Sequence, residues 1–217
     1  MTIKELQRTK ITPGLSYVLG LIYPLYKTGK DNKGAAFIKG CINYNSVREE
    51  DLAEHFRFVI NFFNENSLEN IDVKSNKQDA FSISPKKGFS ILIWIENLKE
   101  SECIKILTEK IQELKSSNDK ESKRAFARGC FDGRSSFDTT MHFLSVDTDR
   151  VYERQDLIKS IFDDLDIELN LNRRKINYQK NDQIRLKPKS ISKYLKEVDL
   201  YSKTRKQALE KFIEEEC

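Results

Sequence analysis

The chain has 217 residues, of which 38% are hydrophobic and 33% are charged, and its formal net charge is +4 at pH 7. This length accommodates one domain or two small ones, and 13 Phe and 8 Tyr exclude a disordered chain. There is no apolar run of about twenty residues and no signal-peptide core in MTIKELQRTK, so we expect no membrane partner and a cytoplasmic or nucleoid location.

The first half of the chain predicts mainly helices, followed by short strands. Leu15–Tyr26 is apolar on all sides, which indicates a buried helix that Pro24 ends or kinks. In chain order, the other predicted elements are a polar loop at Lys27–Lys33, an apolar helix at Gly34–Tyr44, an amphipathic helix at Asp51–Asn64, strands at Asn70–Lys74, Ala80–Ser84 and Phe89–Ile95, and an amphipathic helix at Glu100–Leu114.

The polar run KSSNDKESK at 115–123 contains no apolar residue and predicts a linker between two domains, 1–114 and 124–217. The second domain gives clearer patterns. Its predicted elements are a helix at Lys123–Phe131, strands within Arg134–Val146, a helix at Val151–Leu165 capped by Asp149, a hairpin of Ile167–Lys175 and Gln183–Lys187, a helix from Ser190 or Ser192 to Val198, and a charged helix at Tyr201–Glu215. The element order is therefore α-β-β-α-β-β-α.

Cysteine and histidine usage argues against a metal site. The four cysteines form no CxxC pair, which excludes a zinc-finger spacing and is not typical of a disulfide framework. The two histidines, His55 and His142, are scattered, with no acid cluster nearby. We therefore expect a reducing compartment and neither a metal nor another cofactor.

A short internal repeat joins the two halves. AFARGCFDGRSS at Ala125–Ser136 can be set over AFIKGCINYNS at Ala36–Ser46, which aligns Gly129 with Gly40. Cysteine, phenylalanine, serine and a basic residue also match. The spacing of about ninety residues predicts two related halves. Chance is the alternative, since so short a window can match by accident.

The element order of the second half, with FARGCFDGRSSF at its head, resembles the LAGLIDADG family of DNA-binding homing endonucleases. In that family a helix runs through a small residue and a glycine into two acid–glycine pairs. The matching places are filled by Gly129, Phe131, Asp132, Gly133, Ser136 and Phe137. The resemblance covers most of Lys123–Val198 and, more weakly, Gly34–Glu96.

The frame of the first motif has an alternative. The segment YVLGLIYPLY at Tyr17–Tyr26 fits the apolar part of the motif, but no acid follows it. We prefer the frame that begins at Ala36, because it matches the second copy directly.

The resemblance implies an α+β fold of two pseudo-symmetric αββαββα-type halves, with curved antiparallel sheets that saddle double-stranded DNA. The two motif helices would pack side by side through Gly40 and Gly129, where glycine lets backbones approach closely. A chain that carries both halves is expected to act as a monomer, alone or within a larger complex.

The motif acids differ from the family pattern. The family's metal-binding residue is the last acid of each motif, and here that place holds Arg134 in the second copy and Asn45 in the first. An arginine binds phosphate but cannot hold Mg²⁺. Asp132 occupies the preceding acid position, which caps and packs in the family. We would assign it to catalysis only if the protein is an enzyme.

The predicted hairpin of the second half has the strongest basic bias. Within Leu169–Lys189, seven basic residues accompany a single acid, Asp182, and asparagines and glutamines interleave with them. Arginine pairs with guanine and asparagine or glutamine with adenine, so such a face suits a DNA groove. The alternative is an ordinary solvated hairpin whose lysines prevent aggregation.

The candidate DNA-binding residues fall in three groups. They are Arg134, Ser136, Asp138, Thr140 and His142 after the motif helix, Asn170, Asn172, Arg173, Arg174, Lys175, Asn177, Gln183, Arg185 and Lys187 on the hairpin, and Lys74, Asn76, Lys77, Lys86 and Lys87 in the first half.

Together these features predict a sequence-specific binder of double-stranded DNA that does not cleave on its own. It would serve as the recognition part of a restriction or regulatory system. One alternative is a Mg²⁺-dependent, site-specific endonuclease with non-standard acids, such as Asp132. A second alternative is a protein-interaction scaffold that keeps the fold only.

Overall fold

The computed structural model describes residues 1–44, 49–66, 68, 71–75, 87–138, 143–173 and 181–216. The helices are α1 (Ile3–Arg8), α2 (Pro13–Ile22), α3 (Glu49–Glu65), α4 (Glu100–Ser116), α5 (Lys120–Arg134), α6 (Tyr152–Asp163), α7 (Ile191–Glu197) and α8 (Lys203–Glu216). The strands are β1 (Lys27–Lys30), β2 (Ala36–Tyr44), β3 (Asp72–Ser75), β4 (Lys87–Ile95), β5 (Ser135–Asp138), β6 (Phe143–Thr148), β7 (Leu169–Asn172) and β8 (Asp182–Leu186).

The strands of the described segments form two antiparallel sheets with the same order. The first sheet runs β1-β2-β4-β3 and the second β5-β6-β8-β7. Each sheet belongs to a helix–hairpin–helix–hairpin–helix unit, α2 to α4 in the first half and α5 to α7 in the second. The predicted fold of two αββαββα-type halves is confirmed, and α8 follows as an additional helix.

The predicted helix at Gly34–Tyr44 is wrong, because these residues form strand β2. Burial alternates with the period of a strand: Ile38 is fully buried beside half-buried Phe37 and Lys39. The preceding segment, predicted as a loop, contains strand β1. Between the strands, the Asp31 carboxylate accepts the backbone N–H groups of Lys33 and Ala35 at 2.9 and 2.8 Å. Strands β1 and β2 are the two strands of the first half that the sequence did not predict.

The first motif helix is α2, so the Ala36 frame is also wrong. Gly20 of α2 and Gly129 of α5 lie where the two helices cross. A Cβ on Gly20 would stand 2.1 Å from the carbonyl oxygen of Phe126, and a Cβ on Gly129 would stand 2.2 Å from that of Tyr17. The packing role predicted for Gly40 therefore belongs to Gly20. Gly40 instead lets β2 approach the end of α2.

The segment predicted as a linker, 115–123, is shorter in the structure: helices α4 and α5 leave only residues 117–119 outside a helix. The ammonium groups of Lys115 and Lys123 each bind the Asp164 carboxylate at 2.6 Å. Asp119 caps the start of α5 by accepting the backbone N–H groups of Glu121 and Ser122, and the two lysines pair with the residue that caps α6. No helix in the described segments is long and apolar enough to cross a membrane.

We predict that Gly129→Ala destabilises the protein by about 3 kcal/mol, because its methyl group would overlap a backbone oxygen and push α2 and α5 apart. The matched control is Gly133→Ala in the same helix, where the nearest atom to an added Cβ is Leu21 Cδ2 at 3.5 Å. That variant is expected to stay within about 1 kcal/mol of the natural protein, since alanine favours helix. Urea unfolding followed by circular dichroism measures both, and equal stabilities would contradict the packing role.

Candidate nucleic-acid interface

One face of the second sheet packs on the helices and the other carries polar side chains. Leu144, Val146, Ile184 and Leu186 are buried on the helix side. Their strand neighbours point the opposite way. The register places these polar neighbours in two rows across the sheet, which we call the second outer face: Ser136, Ser145, Arg185 and Asn170 in one row, and Asp147, Gln183 and Asn172 in the next.

Hydrogen bonds connect neighbours on the second outer face. Gln183 Nε2 donates to Asp147 Oδ1 at 3.2 Å, and Gln183 Oε1 accepts from Arg185 Nη2 at 3.0 Å and from its Nε at 3.3 Å. The hydroxyl oxygens of Ser136 and Ser145 lie 3.3 Å apart. Ser145 is only 2% exposed, so the groups that this face offers to base edges are its carboxylate, amide and guanidinium groups and the hydroxyl of exposed Ser136.

Lys187 lies beyond these rows, in an ion-pair cluster. Its Nζ is 2.7 Å from Glu168 Oε2, and Lys189 Nζ pairs with the other carboxylate oxygen. These two lysines lower the pKa of Glu168 to about 2. A carboxylate that stays charged throughout the physiological range offsets part of the basic bias that the sequence showed here.

Arg173 turns away from the second outer face. Its Nε donates to Gln155 Oε1 at 3.0 Å, its Nη2 pairs with Asp156, and its guanidinium lies 4.5 Å from the centre of the Tyr152 ring. The residue follows Asn172, so the strand alternation directs it to the side of α6. The structure gives Arg173 a packing role against α6 and does not bring it together with the other predicted DNA-binding residues.

For four further candidates the structure gives the position within an element. Arg134 ends α5, Asp138 ends β5, Lys74 lies within β3 and Lys87 begins β4. The candidates outside the described residues are Thr140, His142, Arg174, Lys175, Asn177, Asn76, Lys77 and Lys86.

The outward side of the first sheet has a different chemistry. The register aligns Lys27, Lys39, Leu92 and Asp72 in one row, and Phe37 with Trp94 in the next. We call these residues the first outer face. The rings of Phe37 and Trp94 meet edge to face with centroids 5.7 Å apart, and the indole N–H donates to Asp72. Trp94 is half-buried on this face.

Sequence reasoning missed Ser145 and Asp147 on the second outer face and both lysines of the first. The alternation in LSVDT, with Leu144 and Val146 apolar and Ser145 and Asp147 polar, was the available signal. The predicted strand region ends at Val146, so it leaves Asp147 out. Lys27 and Lys39 lie where the sequence predicts a loop and a helix instead of strands.

Asp132 lies fully buried at the end of α5, where it binds the start of α8. Its Oδ1 accepts the backbone N–H of Ser202 at 3.0 Å, and its Oδ2 accepts the backbone N–H of Tyr201 at 3.1 Å and the Tyr17 hydroxyl at 3.3 Å. Arg205 donates to its carbonyl oxygen. These contacts are those of a helix cap and tie α2, α5 and α8 together.

Burial raises the pKa of Asp132 from its ordinary value of 3.8 to about 6. The two backbone N–H groups, followed by the charges of Arg205 and Arg128, favour the carboxylate and limit the shift. The same burial raises the pKa of Tyr17 well above 10. The carboxyl group is therefore partly protonated near pH 6 in the folded protein.

Comparison with known proteins supports the fold. No protein-family model and no curated protein matches the chain. Among solved structures, the homing endonuclease I-DmoI in complex with DNA and Mn is 11% identical, with a TM-score of 0.54 over 88% of this chain and 98% of that one. The N-terminal LAGLIDADG domain of DUF199/WhiA is 15% identical, with a TM-score of 0.51 over 90% of this chain and 89% of that one.

Full-length DUF199/WhiA from Thermatoga maritima is 14% identical, with a TM-score of 0.54. The match covers 99% of this chain and 65% of that one. The chain therefore has a divergent LAGLIDADG-like fold.

The residues present do not fit the metal that this fold holds in an endonuclease. Alignment of Gly20 with Gly129 places Leu25 and Arg134 at the last acid of the two motifs, so Leu25 replaces Asn45 in that comparison. A hydrocarbon and a guanidinium supply no oxygen ligand to a divalent cation. Within the described residues, no group of three or more His, Cys, Asp and Glu side chains could hold one.

We predict that Asp132 makes stability fall as pH rises. Its folded-state pKa exceeds the unfolded one, so its contribution is fully present below pH 3.8 and is lost through pH 6. The free energy of unfolding of the natural protein, minus that of Asp132→Asn, should fall by about 2 kcal/mol between pH 4 and pH 7. Urea unfolding at each pH measures this difference.

Glu168→Gln is the control for this pH dependence. The Glu168 carboxyl has a folded pKa of about 2 and an ordinary value of 4.5, so the same difference is expected to stay nearly constant from pH 5 to pH 7. A pH-independent difference for Asp132→Asn would show that its carboxyl does not titrate in this range.

Proposed function

We propose that the protein recognises a specific sequence of double-stranded DNA and does not cleave it. The observation that carries this proposal is the second outer face, where seven polar side chains lie in register on one side of a sheet. Cross-strand hydrogen bonds also stabilise ordinary sheets. Here they hold groups that can read base edges in fixed positions, as a binding surface needs.

The groups on this face match the edges of bases in the major groove. Asn170 and Asn172 can each form two hydrogen bonds with adenine, and Arg185 can do so with the O6 and N7 of guanine. The Asp147 carboxylate can accept from the amino group of cytosine. A set of donors and acceptors of this kind distinguishes sequences, whereas lysines alone would hold any duplex.

The lysines of the first outer face supply contacts that hold any duplex and do not depend on its sequence. Lys27 is exposed and Lys39 half-exposed on neighbouring strands, where they can neutralise phosphates. The I-DmoI structure holds DNA on the same fold, which supports a duplex as the partner. In this proposal the basic candidates outside the described residues, Arg174, Lys175, Lys77 and Lys86, remain candidate phosphate contacts.

The absence of cleavage follows from the residues at the ends of the motif helices. Phosphodiester hydrolysis on this fold needs carboxylates that position divalent metal at the scissile phosphates. Leu25 and Arg134 occupy those places, and Asp132 is buried with both carboxylate oxygens accepting hydrogen bonds. Arg134 can hold a phosphate there instead.

The same features support an oligomeric state, a location and a biological role. One chain supplies both sheets, which supports a monomer. A duplex partner supports a location in the cytoplasm or nucleoid. Binding without cutting fits the recognition part of a restriction or regulatory system.

We predict that the protein selects a defined sequence from a random pool of duplexes and that its affinity falls about 100-fold between 50 and 200 mM salt, the dependence expected for about four phosphate contacts. Fluorescence anisotropy on the selected duplex measures the salt dependence, with a scrambled duplex of equal length as the reference. Binding that is absent at low salt, or equal for both duplexes, would favour a scaffold or a non-specific binder.

We predict that Arg185→Ala weakens binding of the selected duplex by at least about tenfold and changes binding of the scrambled duplex much less, because a bidentate arginine–guanine contact is worth about 1–3 kcal/mol. Arg57→Ala is the matched control. It removes the same charge from the exposed side of α3, in the helix layer, and should leave the ratio between the two duplexes unchanged. Equal effects of the two variants would remove Arg185 from the interface.

We predict no nicking or cutting of a supercoiled plasmid that carries the selected sequence, with either Mg²⁺ or Mn²⁺ at millimolar concentration. Agarose gels resolve supercoiled, nicked and linear forms. Metal-dependent cleavage at the selected sequence would overturn the proposed mechanism. Its loss in Asp132→Asn, with binding retained, would then assign Asp132 to catalysis.

A further inference from the structure

The hydrogen bonds among Asp147, Gln183 and Arg185 fix the direction of each group. A carboxylate only accepts hydrogen bonds and a guanidinium only donates them. Gln183 lies between the two, so its Nε2 must face Asp147 and its Oε1 must face Arg185, as the distances of 3.2 and 3.0 Å indicate. The amide has one favourable orientation rather than two.

The geometry of the strands supports this order. Asp147 and Gln183 are direct partners across β6 and β8, and Arg185 lies two residues further along β8 on the same side. The two bonds to Gln183 use the Nε and one Nη2 hydrogen of Arg185, which sets the plane of the guanidinium. A planar guanidinium held in this way loses little further freedom when it meets a base.

We propose that Asp147 is a positioning residue that acts through Gln183 to aim Arg185 at guanine, so that this part of the second outer face specifies a G·C base pair. This inference rests on the proposed DNA-binding function and names what one part of that surface recognises. Guanine offers two acceptors to an arginine, and the paired cytosine offers an amino group to a carboxylate. The Arg185 and Asp147 groups match these two bases.

Asp147 has a second, opposite effect. Its negative charge faces the same side as the bound duplex and weakens binding to every sequence through repulsion from phosphates. A duplex in which guanine or thymine replaces that cytosine leaves the carboxylate opposite an acceptor and adds a specific cost. Asp147 therefore lowers overall affinity while it raises discrimination.

Two substitutions separate these effects. Asp147→Asn removes the charge but keeps an oxygen that can accept from Gln183. Asp147→Ala removes the same charge and also the acceptor. Both are expected to bind the scrambled duplex more tightly than the natural protein. The difference between the two variants therefore measures the loss of the side-chain oxygen, which accepts from Gln183 and faces cytosine, and not the loss of charge.

The experiment begins with the selected duplex, in which each base pair is replaced singly. The position whose discrimination is lost in Arg185→Ala is the one that Arg185 recognises, and we expect a G·C pair there. The natural protein and Asp147→Asn should prefer G·C at that position by at least about tenfold, and Asp147→Ala should prefer it by about threefold or less. Glu168→Gln, which removes a charge elsewhere on the sheet, should keep the full preference.

A measurement without DNA tests the positioning itself. In ¹⁵N spectra of the free protein, Asp147→Ala should shift the Gln183 side-chain amide and the Arg185 Nε–H resonances. Asp147→Asn should shift them less, and Glu168→Gln should leave them in place. A merely structural loss of folding would shift resonances throughout the protein.

The outcomes distinguish this inference from the function on which it rests. If the natural protein selects a sequence and Asp147→Ala keeps the full G·C preference, the role of Asp147 is overturned while DNA recognition stands. Recognition by Arg185 of a base other than guanine would overturn the assigned base pair. If the natural protein shows no salt-dependent binding at all, the proposed function fails, and the base-pair assignment fails with it.

Discussion

The structure depends on the close approach of two helix backbones, at positions where no side chain larger than that of glycine fits between them. The carbonyl of Phe126 covers Gly20 and the carbonyl of Tyr17 covers Gly129, and each carbonyl comes from the residue three positions before the other helix's glycine. The contact is therefore reciprocal, as a twofold axis between α2 and α5 requires. Because the helices are this close, α5 contacts β2 of the first sheet as well as β6 of the second.

The same symmetry explains why the sequence repeat is faint. The position that matches Asp132 in the first half is Tyr23, whose hydroxyl donates to Thr108 of α4 at 3.3 Å. Asp132 instead accepts the backbone N–H groups at the start of α8. Both residues join the end of a motif helix to a later helix of the same half. The fold preserves the glycines and the connections, while the chemistry at each connection has diverged.

Much of the fold could be predicted from the second half, because the apolar residues of each segment there follow either the helical period or the strand period. The first half was harder to predict because Ala36–Tyr44 shares Ala, Phe, Gly and Cys with the second motif yet alternates as a strand, with Ile38 buried beside half-buried Lys39. An alignment of eleven residues favoured the motif over that alternation. The glycine that packs against Gly129 was in the rejected frame, since Gly20 has no acid after it to mark the motif.

The candidate interface was harder to predict, because composition does not show which charges are already paired. Arg173 and Lys187 carry the basic bias of the hairpin, yet Arg173 binds α6 and Lys187 binds Glu168. Only the register brings Ser136, Asn170 and Arg185 into one row and places Asp147 beside Gln183. Strand pairing is a long-range property that a local pattern does not determine.

The outer faces of both sheets carry acidic residues as well as basic ones. Asp147 and Glu168 lie on or beside the second sheet's outer surface, and Asp72 lies on that of the first. A protein that held any duplex would gain from their removal, because each one repels phosphates. Glu168 is already paired with Lys187 and Lys189, and Asp72 accepts from the Trp94 indole, so these two acids have partners within the protein. Asp147, which accepts from Gln183, is the acid for which the proposed recognition of sequence supplies a reason.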